Sequence, residues 1–130
     1  MELEIATPER QLVREEVTEV QIPGSSGYLG ILPGHAPLLT ELGTGIVIYV
    51  TGGVRKALSL QGGFAEVHSD VVRVLANIAQ RAEEIDEQKA LEDLQRAEQE
   101  VINASLGADP AFALDAMAWA HARVEAAKQK

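Results

Sequence analysis

Three histidines, His35, His68 and His121, are the side chains of this sequence best suited to acid–base chemistry near neutral pH. None of them has the His-Glu-x-x-His spacing of a zinc-binding helix, and a sequence without cysteine excludes thiolate metal sites and a cysteine nucleophile. His68 shares a strand face with Glu66, but a solvated polar face is the simpler interpretation of that alternation. The sequence therefore predicts no metal site and no catalytic residue.

Two glycine-rich segments, residues 24–30 and 51–56, are candidates for binding phosphate through backbone amides. Neither contains Gly-x-Gly-x-x-Gly or a phosphate loop ending in Gly-Lys-Ser/Thr, and the chain has no Gly-x-Ser-x-Gly. Glycines at these spacings are more often needed for tight turns. A stand-alone hydrolase is therefore not supported, and a binding or regulatory protein is favoured.

The 130 residues are enough for one domain of ordinary size, or for a small domain with an appendage. Hydrophobic residues make up 46% and support a real core, whereas 20 acidic residues against 11 basic ones give a formal charge of −9. This charge disfavours nucleic acid as a partner, because phosphate binding needs basic patches. The longest strongly apolar run, residues 45–50, is far shorter than the roughly 20 residues that cross a bilayer. Any membrane association is therefore expected to come through a partner.

The chain divides near residue 82 into two parts of different composition. The first is rich in β-branched residues and glycine, and its nine acids and six bases give a net charge of −3. The second is rich in alanine, glutamate and glutamine, and its eleven acids and five bases give a net charge of −6. Turn signals recur through the first part, at residues 8–10, 23–24, 33–34, 52–53, 61–63 and 69–70. Short strands between such turns predict an antiparallel sandwich or barrel.

The second part predicts two helices that pack against each other. Asp86 can cap the first, which carries a coiled-coil-like seam of small and apolar residues: Ala90, Leu94, Ala97, Val101 and Ala104. Glu92 and Arg96 have the i,i+4 spacing of a helical ion pair. We expect this helix to end at residues 105–107.

The second helix is expected to begin with Asp109 as its N-cap and Pro110 as its first helical residue. One stripe along it contains Leu114, Met117, His121 and Val124, in which His121 is expected to be a packing residue. Alanine is dense along this helix, so the two helices can approach closely but bury little apolar area. The hairpin should therefore be held weakly, both internally and against the β domain.

Residues 24–40, GSSGYLGILPGHAPLLT, resemble the hallmark of the epsilon subunit of the F-type ATP synthase. Gly45 at the start of a strand, then residues 62–67 and 71–76 and the pair at 85–86, continue the resemblance in the same order. It covers essentially the whole chain, and it agrees with the division into a β part and a helical part.

The resemblance implies a non-catalytic subunit of the central rotor stalk. Its fold would be an amino-terminal antiparallel β-sandwich (residues 1–84) followed by a carboxy-terminal antiparallel two-helix hairpin (residues 85–130). The sandwich would bind the gamma subunit and the c-ring and help couple proton-driven rotation to ATP synthesis. The hairpin would inhibit ATP hydrolysis when it extends to contact the alpha and beta subunits. The protein would be peripheral, on the cytoplasmic face of the bacterial inner membrane, and associated with that membrane only through the complex.

The resemblance also implies which residues contact the c-ring: Tyr28, Leu29, Pro33 and His35 lie in the loop region that the family places near the c-ring loops. The prolines and glycines of this segment leave the backbone few accessible conformations. A restricted backbone suits a contact that transmits torque.

Some bacterial members of the family bind ATP through a motif of Ile or Leu, Asp, two variable residues, Arg and Ala. Here the corresponding residues are Ile85, Asp86, Lys89 and Ala90. Lysine in place of arginine keeps a positive charge but loses the two-pronged geometry that suits a phosphate.

Arg96 and Arg123 are further candidate ligands of ATP by the same resemblance. Trp119 stands near the place of a second arginine expected on the second helix. As alternatives, Asp86 serves only as a helix cap and Arg96 only as the partner of Glu92. ATP would then be at most a weak regulatory ligand, and no cofactor is required. The competing function is an ATP-sensing regulatory protein that binds nucleotide through the hairpin.

Overall fold

The computed structural model describes residues 1–104 and 110–130. Within these ranges the chain forms eight strands: β1 (Glu2–Ala6), β2 (Gln11–Glu16), β3 (Glu19–Gly24), β4 (Gly27–Ile31), β5 (Leu38–Glu41), β6 (Thr44–Thr51), β7 (Val54–His68) and β8 (Val71–Arg81). A 3₁₀ turn (Ala82–Glu84) leads to the helices α1 (Glu87–Ala104) and α2 (Ala111–Ala127).

The eight strands belong to one hydrogen-bonded sheet in the order β2-β1-β8-β7-β6-β3-β4, with β5 paired to β7. All pairs are antiparallel except β1 and β8, which run parallel with Leu3 opposite Val72. The sheet folds over one large core, to which seven of the strands contribute buried side chains. The predicted β-sandwich followed by two helices is therefore confirmed, with one parallel pair that the turn signals do not indicate.

Alternating side chains build this core. In β1, Leu3 and Ile5 are fully buried, and in β8 so are Val72 and Val74, whereas Arg73 between them is exposed. Because successive side chains of a strand point to opposite faces, a slip of one residue would bring the charged face inward. The apolar alternation therefore fixes the register of both strands.

The turn predicted at residues 61–63 is wrong, because β7 is a single strand of 15 residues that continues through it. Gly62 and Gly63 instead bend the strand, with φ angles of +68° and +107°. Pairing persists at the bend: the Leu42 amide donates to the Gly63 carbonyl at 2.9 Å, and the Gly62 amide donates to the Gly43 carbonyl at 3.0 Å. β5 and β6 lie on either side of this point along one edge of β7. On the opposite edge β8 stays paired, with Ala76 opposite Gly63, so the chain bends here without reversing.

The sequence pattern does not indicate β2 or β5. β2 carries charged residues, and Arg14 reaches across to Glu2 of β1, with its Nε 3.4 Å from the carboxylate. β5 has only four residues, too few for an alternation to be recognised. Both strands are fixed by cross-strand pairing that local sequence does not reveal.

The seam predicted for α1 is confirmed. Ala90 and Ala97 are buried, and Leu94 and Val101 are half-buried. α2 lies between α1 and the strands β6 and β7. This position buries its carboxy-terminal half: Ala120, Ala122, Val124, Ala126 and Ala127.

The stripe predicted for α2 is only partly right. Val124 is buried and Met117 is half-buried, but Leu114 and His121 are exposed. The interpretation of His121 as a packing residue is wrong: its ring is exposed, and its Nε2 lies 3.9 Å from the Glu125 carboxylate. Because α2 contacts α1 on one side and the sheet on another, alanines on two faces are buried instead of one stripe.

The predicted cap of α1 is confirmed, because Asp86 Oδ1 accepts a hydrogen bond from the Lys89 amide at 3.1 Å. The helix end expected at residues 105–107 and the N-cap at Asp109 lie outside the described residues. Pro110 immediately precedes α2, one position before its first helical residue.

Gly63→Ala is expected to destabilise the sandwich by about 2–4 kcal/mol, because the new Cβ would overlap the Leu75 carbonyl oxygen and the residue would keep a positive φ. Urea unfolding of the full chain measures this change. Gly30→Ala is the matched control: a Cβ there meets no atom of the described chain within 4 Å, so stability should stay within about 1 kcal/mol of the parent. Equal stability of the two variants would contradict the bend.

Candidate functional site

One arginine of α2 connects both helices to the sheet. Arg123 Nε donates to Gln80 Oε1 of β8 at 2.9 Å, and its Nη1 donates to Asp93 Oδ2 of α1 at 3.0 Å. The Arg123 side chain is only 16% exposed. A single guanidinium therefore fixes α1, α2 and β8 relative to one another.

Asp93 is the second element of this contact. Its Oδ1 accepts a hydrogen bond from Arg96 Nη1 at 3.0 Å, while its Oδ2 is bonded to Arg123. Each carboxylate oxygen is thus bound by a different arginine, one from each helix. The ion pair predicted between Arg96 and Glu92 is wrong, because Asp93 takes its place and Glu92 accepts from Gln88 at 3.4 Å.

The pair of arginines keeps Asp93 ionised. The bond from Arg123 is the largest cause that lowers the pKa of the Asp93 carboxyl below its usual value; burial opposes it, and the bond from Arg96 reinforces it. A lowered pKa in the folded state means that this contact contributes stability at neutral pH and loses it as the pH falls through the acid range. The arginine contact is therefore complete under physiological conditions.

A shallow cleft of about 200 Å³ lies between α1 and α2 and includes this cluster in its lining. Its lining combines the charged groups with small and aromatic side chains: Asp93, Arg96, Ala97, Glu100, Ala116, Trp119, Ala120 and Arg123. The small alanine side chains leave room for a ligand in the cleft, and the two arginines give its wall positive charge. An anion with an adjoining planar group fits this lining by chemistry.

The structure brings together some of the residues suggested for nucleotide binding and separates others. Arg96 and Arg123 meet at Asp93, and Lys89 lies one helical turn before Asp93 on the exposed side of α1. Asp86 is occupied as the helix cap. Ile85 and Ala90 are buried in the hydrophobic cluster between the helices and the sheet, so their contribution is packing: Ile85, Ala90, Val124, Ala126 and Ala127 form that cluster.

The connection between sheet and hairpin is anchored by a carboxylate. The Glu84 carboxylate forms a bidentate ion pair with the Arg10 guanidinium, at 2.9 and 3.1 Å. It also forms an ion pair with Arg81 at 3.0 Å. Burial would raise the pKa of Glu84, but its bonds to Arg10 and Arg81 outweigh that effect and lower it. The next residue, Ile85, is buried, and its carbonyl accepts a bond from the Lys130 ammonium. The chain is thus fixed immediately before and at the start of the hairpin.

The residues suggested for c-ring contact do not share one surface. Pro33 and His35 lie in an exposed turn in which the His35 amide donates to the Leu32 carbonyl at 3.1 Å. Gly34 takes the positive φ of +85° that this type of turn requires, and its amide donates to Asp70 Oδ1 at 3.4 Å. The turn is therefore supported by the β7–β8 connection.

Tyr28 and Leu29 are placed elsewhere. Tyr28 lines a cleft of about 540 Å³ between the sandwich and the hairpin, and its hydroxyl accepts a bond from the Ile46 amide at 3.2 Å. Gly45 leaves the space for this ring, because a Cβ there would overlap the Tyr28 hydroxyl. Leu29 is half-buried against the main core.

Asp93 and Gln80 are the site residues that sequence reasoning missed. Asp93 and Arg96 have i,i+3 spacing, which was a usable signal, but the Asp93–Arg123 pair spans 30 residues and depends on the helix packing. Glu66 and His68, which share a strand face, do not pair with each other: His68 Nδ1 lies 2.9 Å from Ser69 Oγ, and the side chains of Glu66 and His68 are exposed, as the solvated face predicts.

Across residues 1–104 and 110–130, no three His, Asp or Glu side chains converge in a way that could hold a metal ion. Over the same residues, no helix has the length and apolar character to span a bilayer.

Comparison with known proteins assigns the family. Residues 1–82 match the family model described as "ATP synthase, Delta/Epsilon chain, beta-sandwich domain". The chain is 57% identical over 130 residues to the ATP synthase epsilon chain of Solibacter usitatus, with 100% of this chain and 97% of the relative covered. It is 43% identical over 135 residues to the ATP synthase epsilon chain of Bdellovibrio bacteriovorus, with 100% and 96% covered.

Solved structures agree with this assignment. A chain in the cryo-EM structure of the Euglena gracilis mitochondrial ATP synthase (OSCP/F1/c-ring, rotational state 1) matches with a TM-score of 0.80 and 26% identity, over 97% of this chain and 79% of that one. A chain of the Tetrahymena thermophila mitochondrial ATP synthase central stalk and c-ring matches with a TM-score of 0.55, 16% identity and coverage of 64% and 67%, and supports the fold alone. The sandwich with its appended hairpin, and the relatives that match it from end to end, show that this chain belongs to the epsilon chains of ATP synthase.

Proposed function

We propose that this chain is a non-catalytic subunit of the central rotor stalk of a bacterial F-type ATP synthase. It helps couple proton-driven rotation to ATP synthesis and inhibits ATP hydrolysis through its carboxy-terminal helices. The observation that carries this proposal is the division of the buried residues into two clusters with no buried member in common. Every member of the larger cluster precedes residue 80, so the sandwich has a core that does not depend on the hairpin.

The sandwich is suited to act as a platform for a stalk partner. Leu39, Phe64 and Leu75 are exposed on neighbouring strands of its outer face, where Phe64 lies directly opposite Leu75. Grouped exposed apolar side chains usually mark an interaction surface. This surface, the outer apolar patch, is proposed to bind the gamma subunit.

The turn that contains Pro33 and His35 is proposed to contact the c-ring. It projects from the sandwich with Leu32, Pro33 and His35 exposed, and Asp70 supports it from below. A turn with a proline and a positive-φ glycine changes shape little under load, because both residues limit the alternative conformations of its backbone. Tyr28 and Leu29 belong to β4, the strand that leads into this turn.

The hairpin is suited to change position. Alanines supply most of the buried face of α2, and Val124 is its one large aliphatic side chain in the cluster that contacts the sheet. Burial of so little apolar area stabilises the docked position by only a modest amount, at about 25 cal/mol per Å². A two-state element needs alternatives that differ by only a few kcal/mol. Phe112 at the start of α2 is 88% exposed, and in the extended hairpin it would meet the alpha and beta subunits.

ATP sensing by the hairpin is the second candidate function. Arg96, Arg123 and Trp119 in one cleft favour it, because two guanidinium groups and an indole match a phosphate chain beside a planar base. Lys89 gives a single additional charge in place of the arginine of the family motif. In this function ATP is a weak regulatory ligand and not a required cofactor.

The proposed location follows from the proposed partners. Bound to gamma and to the c-ring, the subunit is peripheral on the cytoplasmic face of the bacterial plasma membrane. Its net charge of −9 disfavours direct adsorption to anionic lipid.

Deletion of residues 86–130 is expected to leave assembly with gamma intact, because the core of the sandwich lies entirely before the deletion. The ATP hydrolysis rate of the assembled complex should rise by about 5-fold or more, the lower end of a typical coupling between sites. The measurements are co-purification with gamma and the ATPase rate of the purified complex. Loss of assembly, or an unchanged rate, would contradict the proposed division of roles.

Phe64→Glu should weaken binding to gamma by about 10-fold or more, because it places a charge in the centre of the outer apolar patch. Val54→Glu is the matched control: Val54 and Phe64 are both 56% exposed, but Val54 lies at the other end of β7, beside the Gly52–Gly53 turn. Binding of each variant to immobilised gamma measures the effect. If both variants bind gamma like the parent chain, the patch is not the gamma surface.

A further inference from the structure

We propose that Asp93 is an internal ligand of an anion site formed by Arg96 and Arg123, and that the phosphate chain of a nucleotide binds there only by displacing it. This inference rests on the proposed ATP-sensing function. When no nucleotide is bound, Asp93 occupies the two arginines and so regulates access to them.

The two arginines hold the Asp93 carboxylate as they would hold a separate anion. Arg96 Nη1 and Arg123 Nη1 each donate to one oxygen of Asp93, and both distances are 3.0 Å. Two guanidinium groups that converge on two oxygens also match a phosphate group, which presents oxygens at similar spacing and carries more charge. The carboxylate of Asp93 thus occupies the positions that phosphate oxygens would take.

Arg123 remains anchored when Asp93 leaves. Its Nε is bonded to Gln80 Oε1 of β8 at 2.9 Å, independently of the nitrogen that binds Asp93. An anion that replaced Asp93 would therefore still be held between α1, through Arg96, and the sheet, through Arg123. Nucleotide and Asp93 stabilise the same docked hairpin, and each competes with the other for the arginines.

The competition explains why this chain should bind nucleotide weakly. Before a phosphate chain can bind, two charge-assisted hydrogen bonds to Asp93 must break, and the carboxylate must move away from a second negative charge. Glu100 lines the same cleft and adds to the repulsion, although it makes no ion pair with either arginine within the described part of the chain. Lys89 attracts the ligand from the preceding turn of α1.

The single tryptophan of the chain, Trp119, lines this cleft, so its fluorescence reports binding there directly. Inorganic tripolyphosphate is the probe, because it carries the phosphate chain and does not absorb the exciting light. In a titration of the full chain, Asp93→Asn should bind tripolyphosphate at least about 10-fold more tightly than the parent, since an amide leaves the arginines without an internal carboxylate.

Glu100→Gln is the matched control. It removes the same charge from the same cleft without freeing an arginine, so its affinity should change by less than about 3-fold, as expected of a partly screened charge. Adding Arg96→Gln to Asp93→Asn should abolish the gain, because one of the two donors is lost. An Asp93→Asn affinity equal to that of the parent, or an equal gain in Glu100→Gln, overturns the proposal.

Hydrogen exchange of the α2 amides keeps the test decisive if Asp93→Asn releases the hairpin. Tripolyphosphate should then restore the protection of α2, and failure to do so overturns the proposal.

MgATP is a second probe, which shows what part of the nucleotide is recognised. If MgATP binds with the same affinity as tripolyphosphate, the site recognises the phosphate chain alone. If MgATP binds more tightly, the base also contacts Trp119. If neither probe binds to the parent or to Asp93→Asn, the ATP-sensing function fails as well, whereas the rotor function is tested separately by deletion of the hairpin.

Discussion

The position of the hairpin depends on the contacts of Arg123. The alanine faces of α1 and α2 allow close approach but bury little apolar area per residue, so packing alone holds the hairpin weakly. Directional bonds add to this packing: Arg123 donates to Gln80 and Asp93, and Gln61 of β7 donates to the Asp115 carbonyl of α2 at 3.3 Å. A contact of this kind fixes a geometry while contributing modest stability, and it can be broken without loss of the fold on either side of it.

The sandwich meets the opposite requirement. Its large aliphatic side chains are fully buried, and strands distant in sequence are joined by continuous backbone pairing, including the parallel pair of β1 and β8. The glycine bend in β7 lets one strand bond with both β5 and β6 along a single edge. The chain therefore combines a stiff platform with an arm whose docking rests largely on a few polar bonds, and this combination suits the functions proposed for the sandwich and the hairpin.

Local periods and turn signals predict the sandwich, the hairpin, the cap at Asp86 and the seam of α1. They fail where contacts between distant residues decide the structure. Gly62 and Gly63 read as a turn, but pairing with residues 42–43 converts them into a bend. His121 read as a core residue, but the contact of α2 on two sides moves the buried face onto alanines.

The candidate site shows the same division. Arg96 and Arg123 were identified through the family resemblance, whereas Asp93 was not, because its partner lies 30 residues away on another helix. The residues suggested for c-ring contact divide between an exposed turn and β4, where Tyr28 lines the cleft beside the hairpin and Leu29 packs against the main core. Spacing along the chain could not supply either fact.

The proposed function requires that the hairpin occupy two positions relative to a fixed sandwich. Because the chain has no cysteine, spin labels attach only to cysteines that are introduced. Val54→Cys on the sandwich and Phe112→Cys on α2 place them at two exposed sites. Pulsed electron resonance should give one distance in the isolated subunit and a second, longer distance in the assembled complex. A single distance that is the same in both would contradict the account.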